Sequence, residues 1–249
     1  MFQGLKIVGI VPVLDEEHKV VSVLRRIPRD IVDEMVVIDD GSTDGSAQVA
    51  LAEGATLLSL GRTFGVGAAL RAGFAHADAH GFDVVVVMAG NNKDAPEEIP
   101  RLLEPIADGT ADFVQGSRWL QPQRDFGEMP FYRRIATRVH PTLLSIVARQ
   151  RITDSTNGFR ALRLDMLRDE RLRLRQSSLD SYDLEPHLLL ESIALGYRVC
   201  EVPVTKTYPP KNMGQTKMRP MLDWWTILRP IVHAGARGRW LRRRTASPQ

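Results

Sequence analysis

Four short apolar runs, each followed by an amphipathic stretch, constrain this chain more than any other feature. Leu5–Val11, Met35–Ile38, Thr56–Leu60 and Asp83–Met88 read as strands, and Glu16–Arg26, Ser46–Ala52, Val66–Ala77 and Glu97–Ile106 read as the helices between and after them. A further short strand is expected at Asp112–Gln115. The run of four valines at 84–87 has no polar alternation, which suits a strand covered on both faces. Strand–helix alternation of this kind predicts an α/β fold with a mainly parallel sheet flanked by helices. The 249 residues suffice for one large core.

After Arg118 the rhythm changes. Residues 119–129 contain Gly and Pro and read as a mobile loop. Pro130 opens a helix that Pro141 is expected to interrupt, leaving Thr142–Ala148 as an apolar continuation. Phe159–Arg163 reads as a strand, Leu184–Leu195 as a helix, Tyr197–Val204 as a strand and Lys206–Met213 as a Pro-rich loop. Pro220–Ala234 is apolar and aromatic. We therefore divide the chain into a main domain over 1–217 and a C-terminal apolar and basic helical extension over 218–249.

No apolar run reaches the ~20 residues that a membrane-spanning helix needs, and the start of the chain carries no secretory leader pattern. The lone Cys200 reads as an unreactive core thiol in a reducing compartment, so a cytoplasmic location is expected. Net charge is only +3, but nine Lys or Arg lie from Lys211 onward against one acid, Asp223. Without an aromatic ladder or a recognised DNA-binding motif, nucleic acid is the weakest explanation of that bias. Trp224, Trp225, Ile227, Leu228, Ile231 and Val232 followed by the basic run Arg237–Arg244 have the composition of an interfacial helix, which would put the protein on the inner face of a membrane. Packing of that helix on its own domain is the competing expectation. A membrane-anchored partner and a homo-oligomer are further assemblies that the composition permits.

The strand Met35–Ile38 ends in Asp39-Asp40-Gly41-Ser42, carboxylates at the strand tip where open α/β sheets bind ligands. The same residues are also ordinary turn and cap formers. Gly61-Arg62-Thr63-Phe64-Gly65-Val66-Gly67 could present backbone N–H groups to a phosphate or simply allow close packing. Arg133 and Thr137, spaced i, i+4, share a helix face and with Arg118 could converge on an anion. Asp154 precedes a strand and Glu185 lies at a helix start, where an acid also serves as a cap. The six histidines show no metal-binding spacing.

Taken in order, Val11–Glu17, Val37–Ser42, Gly116–Arg118, Asp154–Arg160, Gly196–Val204 and Gly214–Pro220 make the chain resemble the family 2 glycosyltransferases, in particular the polyprenyl- and dolichyl-phosphate sugar transferases. The resemblance implies a GT-A fold, a nucleotide-sugar donor and inversion at the anomeric carbon. By the same resemblance Pro12, Leu14, Glu16, Ile38, Asp39 and Asp40 would form the nucleoside side of the donor site, and Asn91, Arg118, Lys211 and Lys217 its diphosphate side. Arg118, Arg133 and Thr137 would clamp a lipid-phosphate acceptor. For a hydroxyl acceptor, Asp154 or Glu185 would be the base. Leu14 replaces the family's usual aromatic and Asp15 its usual Asn. The family's Asp-x-Asp metal motif would fall at residues 89–91, where this chain has Ala89 and Asn91. A Mg²⁺ or Mn²⁺ ion would then rest weakly on Asn91, Asp94, the donor phosphates and water, or be dispensed with. The expected activity is sugar transfer to a polyprenyl phosphate. A soluble transferase acting on a small hydroxylated acceptor, and a nucleotide-sugar-binding protein without activity, are the alternatives.

Overall fold

The computed structural model of the chain describes residues 1–122, 126–210 and 222–236. The expected strands form one seven-stranded sheet: β1 (Ile7–Val13), β2 (Glu34–Asp39), β3 (Thr56–Ser59), β4 (Val84–Val87), β5 (Phe113–Ser117), β6 (Arg160–Arg163) and β7 (Val199–Pro203). Their order is β3-β2-β1-β4-β6-β5-β7. All pairings are parallel except those of β6, which runs antiparallel to both β4 and β5.

Side-chain alternation along the strands divides the core between the two faces of the sheet. Val8 and Ile10 of β1, Val36 and Ile38 of β2, and Val85 and Val87 of β4 face one layer. That layer holds α3 (Val66–Ala79), α5 (Phe131–Ala148), the short α6 (Leu164–Leu167), α7 (Leu184–Ala194) and α8 (Leu222–Ala236). Ile7, Val11, Met35, Val37, Val84 and Val86 face the other, which holds α1 (Glu17–Arg26), α2 (Ser46–Ala52) and α4 (Ile99–Ala107). On α1 the buried residues are Val20, Val23 and Leu24, spaced as an inward helical face. Cys200 is half-buried and its thiol is pushed up by burial. Among the described residues no helix is long and apolar enough to cross a membrane.

Two expectations need correction or completion. Pro141 does not interrupt its helix: α5 runs unbroken from Phe131 to Ala148. Proline removes the donor that would reach the carbonyl of Thr137, and the buried indole of Trp119 donates to that carbonyl instead, at 3.1 Å. A tertiary hydrogen bond thus replaces the missing helical one. The C-terminal helix α8 packs on α5 and α7, and its Ile231 and Ala234 join the main core. Trp225 and Val232 of the same helix are exposed. The expected boundary at 217/218 and the basic run Arg237–Arg244 lie outside the described residues.

Trp119→Phe should cost about 1–2 kcal/mol in urea unfolding, because it leaves a buried carbonyl unsatisfied. In a Pro141→Ala background, which restores the helical N–H, the same substitution should cost measurably less. Equal costs in both backgrounds would remove the explanation.

Candidate active site

The parallel register brings the tips of β1, β2 and β4 together at one edge of the sheet. Val13 pairs with Asp39, and the Asp40 N–H donates to the Val13 carbonyl at 2.9 Å. Beyond β4, the Gly90 N–H donates to the Pro12 carbonyl at 3.3 Å, and a side chain on Gly90 would collide with Val13. These tips open on a cleft of about 1070 Å³. Ligands of open α/β sheets lie at this place.

The loop after β1 is stapled to the loop after β2. The N–H groups of Asp15 and Glu16 donate to the hydroxyls of Ser42 (2.9 Å) and Ser46 (2.8 Å), and the Thr43 N–H donates to Asp15 at 2.7 Å. Asp15 adopts a positive φ of 45°, a conformation that Asp tolerates better than most residues. The Asp-Gly-Ser-Thr-Asp-Gly stretch therefore serves two purposes. Asp39 and Asp44 make turns, whereas Asp40 lines the cleft and accepts the N–H groups of Phe64 (2.7 Å) and Gly65 (2.9 Å). Burial raises the Asp40 carboxyl above the ordinary carboxylate range despite these two donors.

Pro12, Leu14, Glu16, Asp40, Asn91, Arg118, Arg133, Thr137 and Glu185 all line the cleft, so most of the residues singled out in the sequence meet in one place. Ile38, Asp39, Asp94 and Asp154 do not. Ile38 lies within β2 and packs in the core under α3. Asp39 accepts from the Ser42 N–H at 2.9 Å and the Ser59 hydroxyl at 3.3 Å. Lys211 and Lys217 lie outside the described residues. In the glycine loop 61–67, side chains at Gly65 or Gly67 would strike the backbone of 179–181, and residues 63–66 also line the cleft.

The floor of the cleft is a buried charged network. Arg118, only 2% exposed, holds Asp154 through Nε at 2.6 Å and through its own backbone N–H at 3.1 Å. Glu201 accepts the backbone N–H groups of Thr153 and Asp154 at 2.7 and 2.8 Å, and burial raises its carboxyl. The remaining arm of Arg118 donates to the Tyr208 hydroxyl at 2.7 Å. Lys93 and Arg133 approach the Tyr208 ring, at 5.2 and 5.8 Å from its centroid. Lys206 donates to Asp94 at 2.5 Å and to Asn157 at 2.9 Å. Three cations, Arg118, Lys93 and Arg133, thus meet at one tyrosine. Glu185 accepts from Arg160 at 2.8 Å, with its side chain 18% exposed at the rim. His140 is kept neutral by burial: Nε2 donates to the Ile227 carbonyl at 3.1 Å, leaving Nδ1 to accept from Ser155 at 2.6 Å. It ties α5 to α8. Tyr208, Lys206 and His140 were not anticipated, because they come from a Pro-rich segment and a helix interior with no local motif.

A divalent metal does not suit the donor atoms at 89–94. Ala89 has none, and the Asn91 carbonyl accepts the Lys93 N–H at 3.2 Å. Asp94, expected as a ligand, is turned to Lys206. Among the described residues no three His, Cys, Asp or Glu side chains gather as a metal site.

The comparisons with known proteins agree with this geometry. The family model for glycosyl transferase family 2 matches residues 10–171. The chain belongs to that family. It is 33% identical to an undecaprenyl-phosphate mannosyltransferase of Micrococcus luteus over 86% of this chain and 88% of the relative. It is 31% identical to a polyprenol monophosphomannose synthase of Mycolicibacterium smegmatis, over 84% and 79% of the two chains. Among solved structures it resembles glucosyl-3-phosphoglycerate synthase of Mycobacterium tuberculosis bound to phosphoglyceric acid, with a TM-score of 0.67 at 21% identity over 93% of this chain and 80% of that one. Another structure of that synthase contains Mn²⁺ and uridine diphosphate. At this identity the likeness establishes the GT-A fold that the sequence motifs implied. A glycosyltransferase of this family is an enzyme of the inverting class.

Burial, together with Arg133 and Lys206, pushes the Lys93 ammonium down to about 7, against the opposing pull of Glu16 and Asp94. Between that value and the ordinary 10.5 the unfolded chain binds a proton that the folded chain lacks, so this site makes stability rise with pH across the interval. Lys93→Met should therefore raise Tm near pH 6 by at least about 2 °C, the shift that ~1 kcal/mol gives in a domain of this size. The gain should shrink towards pH 10 in thermal melts. A pH-independent change would show that Lys93 is not buried as a cation.

Proposed function

We propose that this glycosyltransferase moves a sugar from a nucleoside-diphosphate sugar to a polyprenyl phosphate at a membrane surface. The observation that carries the reading is the amphiphilic lining of the cleft. Its lining combines Arg118, Arg133, Lys93 and Lys206 with an apolar wall of Ile135, Val139 and Leu143 of α5 and Ile227 and Leu228 of α8. A phosphate with an apolar tail matches such a surface, and a small hydroxylated acceptor has no use for the apolar wall. The names of the two curated relatives point to the same class of acceptor.

The apolar wall extends along α5 to both sides of the cleft-lining residues. Phe131, Ile135, Val139, Leu143 and Ile146 follow one another at i, i+4, i+8, i+12 and i+15 along α5, and all are exposed, Phe131 at 77%. Trp225 and Val232 of α8, the helix packed on α5, are exposed as well, and apolar residues of this kind suit the headgroup boundary of a bilayer. The basic residues 237–244 that follow α8 in the sequence would add attraction to anionic lipid. This makes a peripheral protein on the cytoplasmic face the natural setting.

In this reading Pro12, Leu14, Glu16 and Asp40 receive the nucleoside, and Arg133 and Thr137 hold the acceptor phosphate. An ionised phosphate oxygen attacks C1 in line with the departing diphosphate and needs little help from a base. Asp154, with its carboxylate committed to Arg118, positions that arginine rather than taking a proton. Glu185, nearer the opening, is the base only for a hydroxyl acceptor. Lys211 and Lys217 complete the diphosphate side by family resemblance.

The direct test is incubation with radiolabelled nucleotide sugars and a polyprenyl phosphate in detergent. Label should enter the organic phase. Label confined to a water-soluble product would favour a small acceptor, and no transfer alongside tight nucleotide binding would favour the inactive binding protein. Arg133→Ala should raise the KM for the lipid phosphate at least tenfold, a loss of about 1.4 kcal/mol, with donor binding by calorimetry nearly unchanged. Equal loss of both affinities would make Arg133 a structural arginine.

A further inference from the structure

The segment that follows β4 carries the family's metal motif in the resemblance set out above, and in this chain it is built around a cation. Gly90 is locked against β1 by its hydrogen bond to Pro12 and by the absence of room for a side chain. Asn92 turns the backbone through a positive φ of 55°, and its side-chain carbonyl accepts from Arg26 at 3.0 Å. The Asn91 side chain closes the turn on the Lys93 N–H. The next peptide is pinned as well, since the Thr207 N–H donates to the Lys93 carbonyl at 2.9 Å. The result is a rigid turn that delivers the Lys93 side chain to the floor of the cleft, 5% exposed, over the Tyr208 ring.

Two carboxylates of a hard-metal site are thus replaced by a methyl group and a committed amide, and an ammonium stands two residues further along. A dication placed there would meet Lys93, with Lys206 behind it, and few anionic oxygens. A diphosphate would meet the opposite: a desolvated lysine that the arriving negative charge holds in its ammonium form, in a site where such charges act strongly.

We propose that Lys93 is the built-in counter-charge for the donor diphosphate and that this chain transfers sugar without a divalent metal. The inference rests on the donor reading given under Proposed function. In the transfer the bond between C1 and the diphosphate oxygen breaks and the bond from the acceptor oxygen to C1 forms. The electron pair of the broken bond stays on the diphosphate, which gains one negative charge. The Lys93 ammonium offsets that charge, the part a metal ion plays as the largest local charge of a phosphate site. An ionised phosphate acceptor brings no proton to be removed, so the step balances with these groups alone.

Calorimetric titration of the whole chain with UDP, and separately with GDP, tests this in EDTA and then in excess Mg²⁺ or Mn²⁺. We expect one of the two nucleotides to bind in EDTA, with affinity changed less than about threefold by metal. Lys93→Met should weaken that binding at least tenfold, about 1.4 kcal/mol, while Lys93→Arg restores most of it, with thermal melts showing both variants folded. Binding by the natural chain only when Mn²⁺ or Mg²⁺ is supplied would overturn the proposal. So would a folded Lys93→Met protein that binds as tightly as the natural chain. If neither nucleotide binds with or without metal, the donor reading itself fails, and this inference falls with it.

Discussion

The buried pair of Arg118 and Asp154 is the constraint on which the rest of the site depends. Removing two charges from water costs several kcal/mol for each, and only good geometry with further hydrogen bonds offsets it. Here the geometry is supplied from three directions. Arg118 stands just after β5, Asp154 is held through its backbone by Glu201 of β7, and the Tyr208 hydroxyl accepts from the free arm of the guanidinium. The pair therefore joins the end of β5, the segment 153–158 and the strap 204–208. Once Tyr208 is fixed, its ring sets where Lys93 and Arg133 lie, and the strap carrying it also brings Lys206 to Asp94.

Much of the fold was legible because each strand is a compact apolar run bounded by turn residues, and each helix keeps its apolar period. The carboxylates after β2 were legible for the same reason: they end a buried strand abruptly, and Asp40 does face the cleft. What local pattern could not convey was tertiary. Pro141 looked like a break because its replacement donor, Trp119, lies 22 residues earlier in sequence and reaches the carbonyl of Thr137. Ile38 was placed with the donor residues by resemblance, but it lies inside the paired strand and packs under α3, while Asp40 passes beyond the last pairing. The roles of Tyr208 and Lys206 arise from a strap pairing with the turn after β4, 112 residues away in sequence, and no motif announces such a crossing.

The exposed face of α5 shows how a sequence reading can miss a feature in plain view. Phe131, Ile135, Val139, Leu143 and Ile146 keep a clean helical spacing, which normally marks a face turned to the core. The buried face is instead formed by Thr137, His140, Leu144 and Ala148, a mixed set that includes a neutral histidine bridging to α8. An exposed apolar stripe, three of whose residues also line the cleft, would in the proposed function give a lipid tail a way out of the site without crossing water. Arg118 and Lys93 of the same cleft are buried, where low dielectric would strengthen their hold on phosphate. In the proposed function, buried charge and exposed apolar surface answer one demand, that of an amphiphilic acceptor meeting an anionic donor.

A crystal structure of the protein with a nucleoside diphosphate bound in the presence of chelator tests the central claim most directly. The account predicts the base beside Pro12 and Leu14, the nucleoside within reach of Asp40, and the diphosphate against Lys93 on the side of the cleft that leads to Arg133. A nucleotide whose diphosphate sits on the glycine loop 61–67, or a diphosphate held away from Lys93 through a metal on residues 89–94, would contradict it.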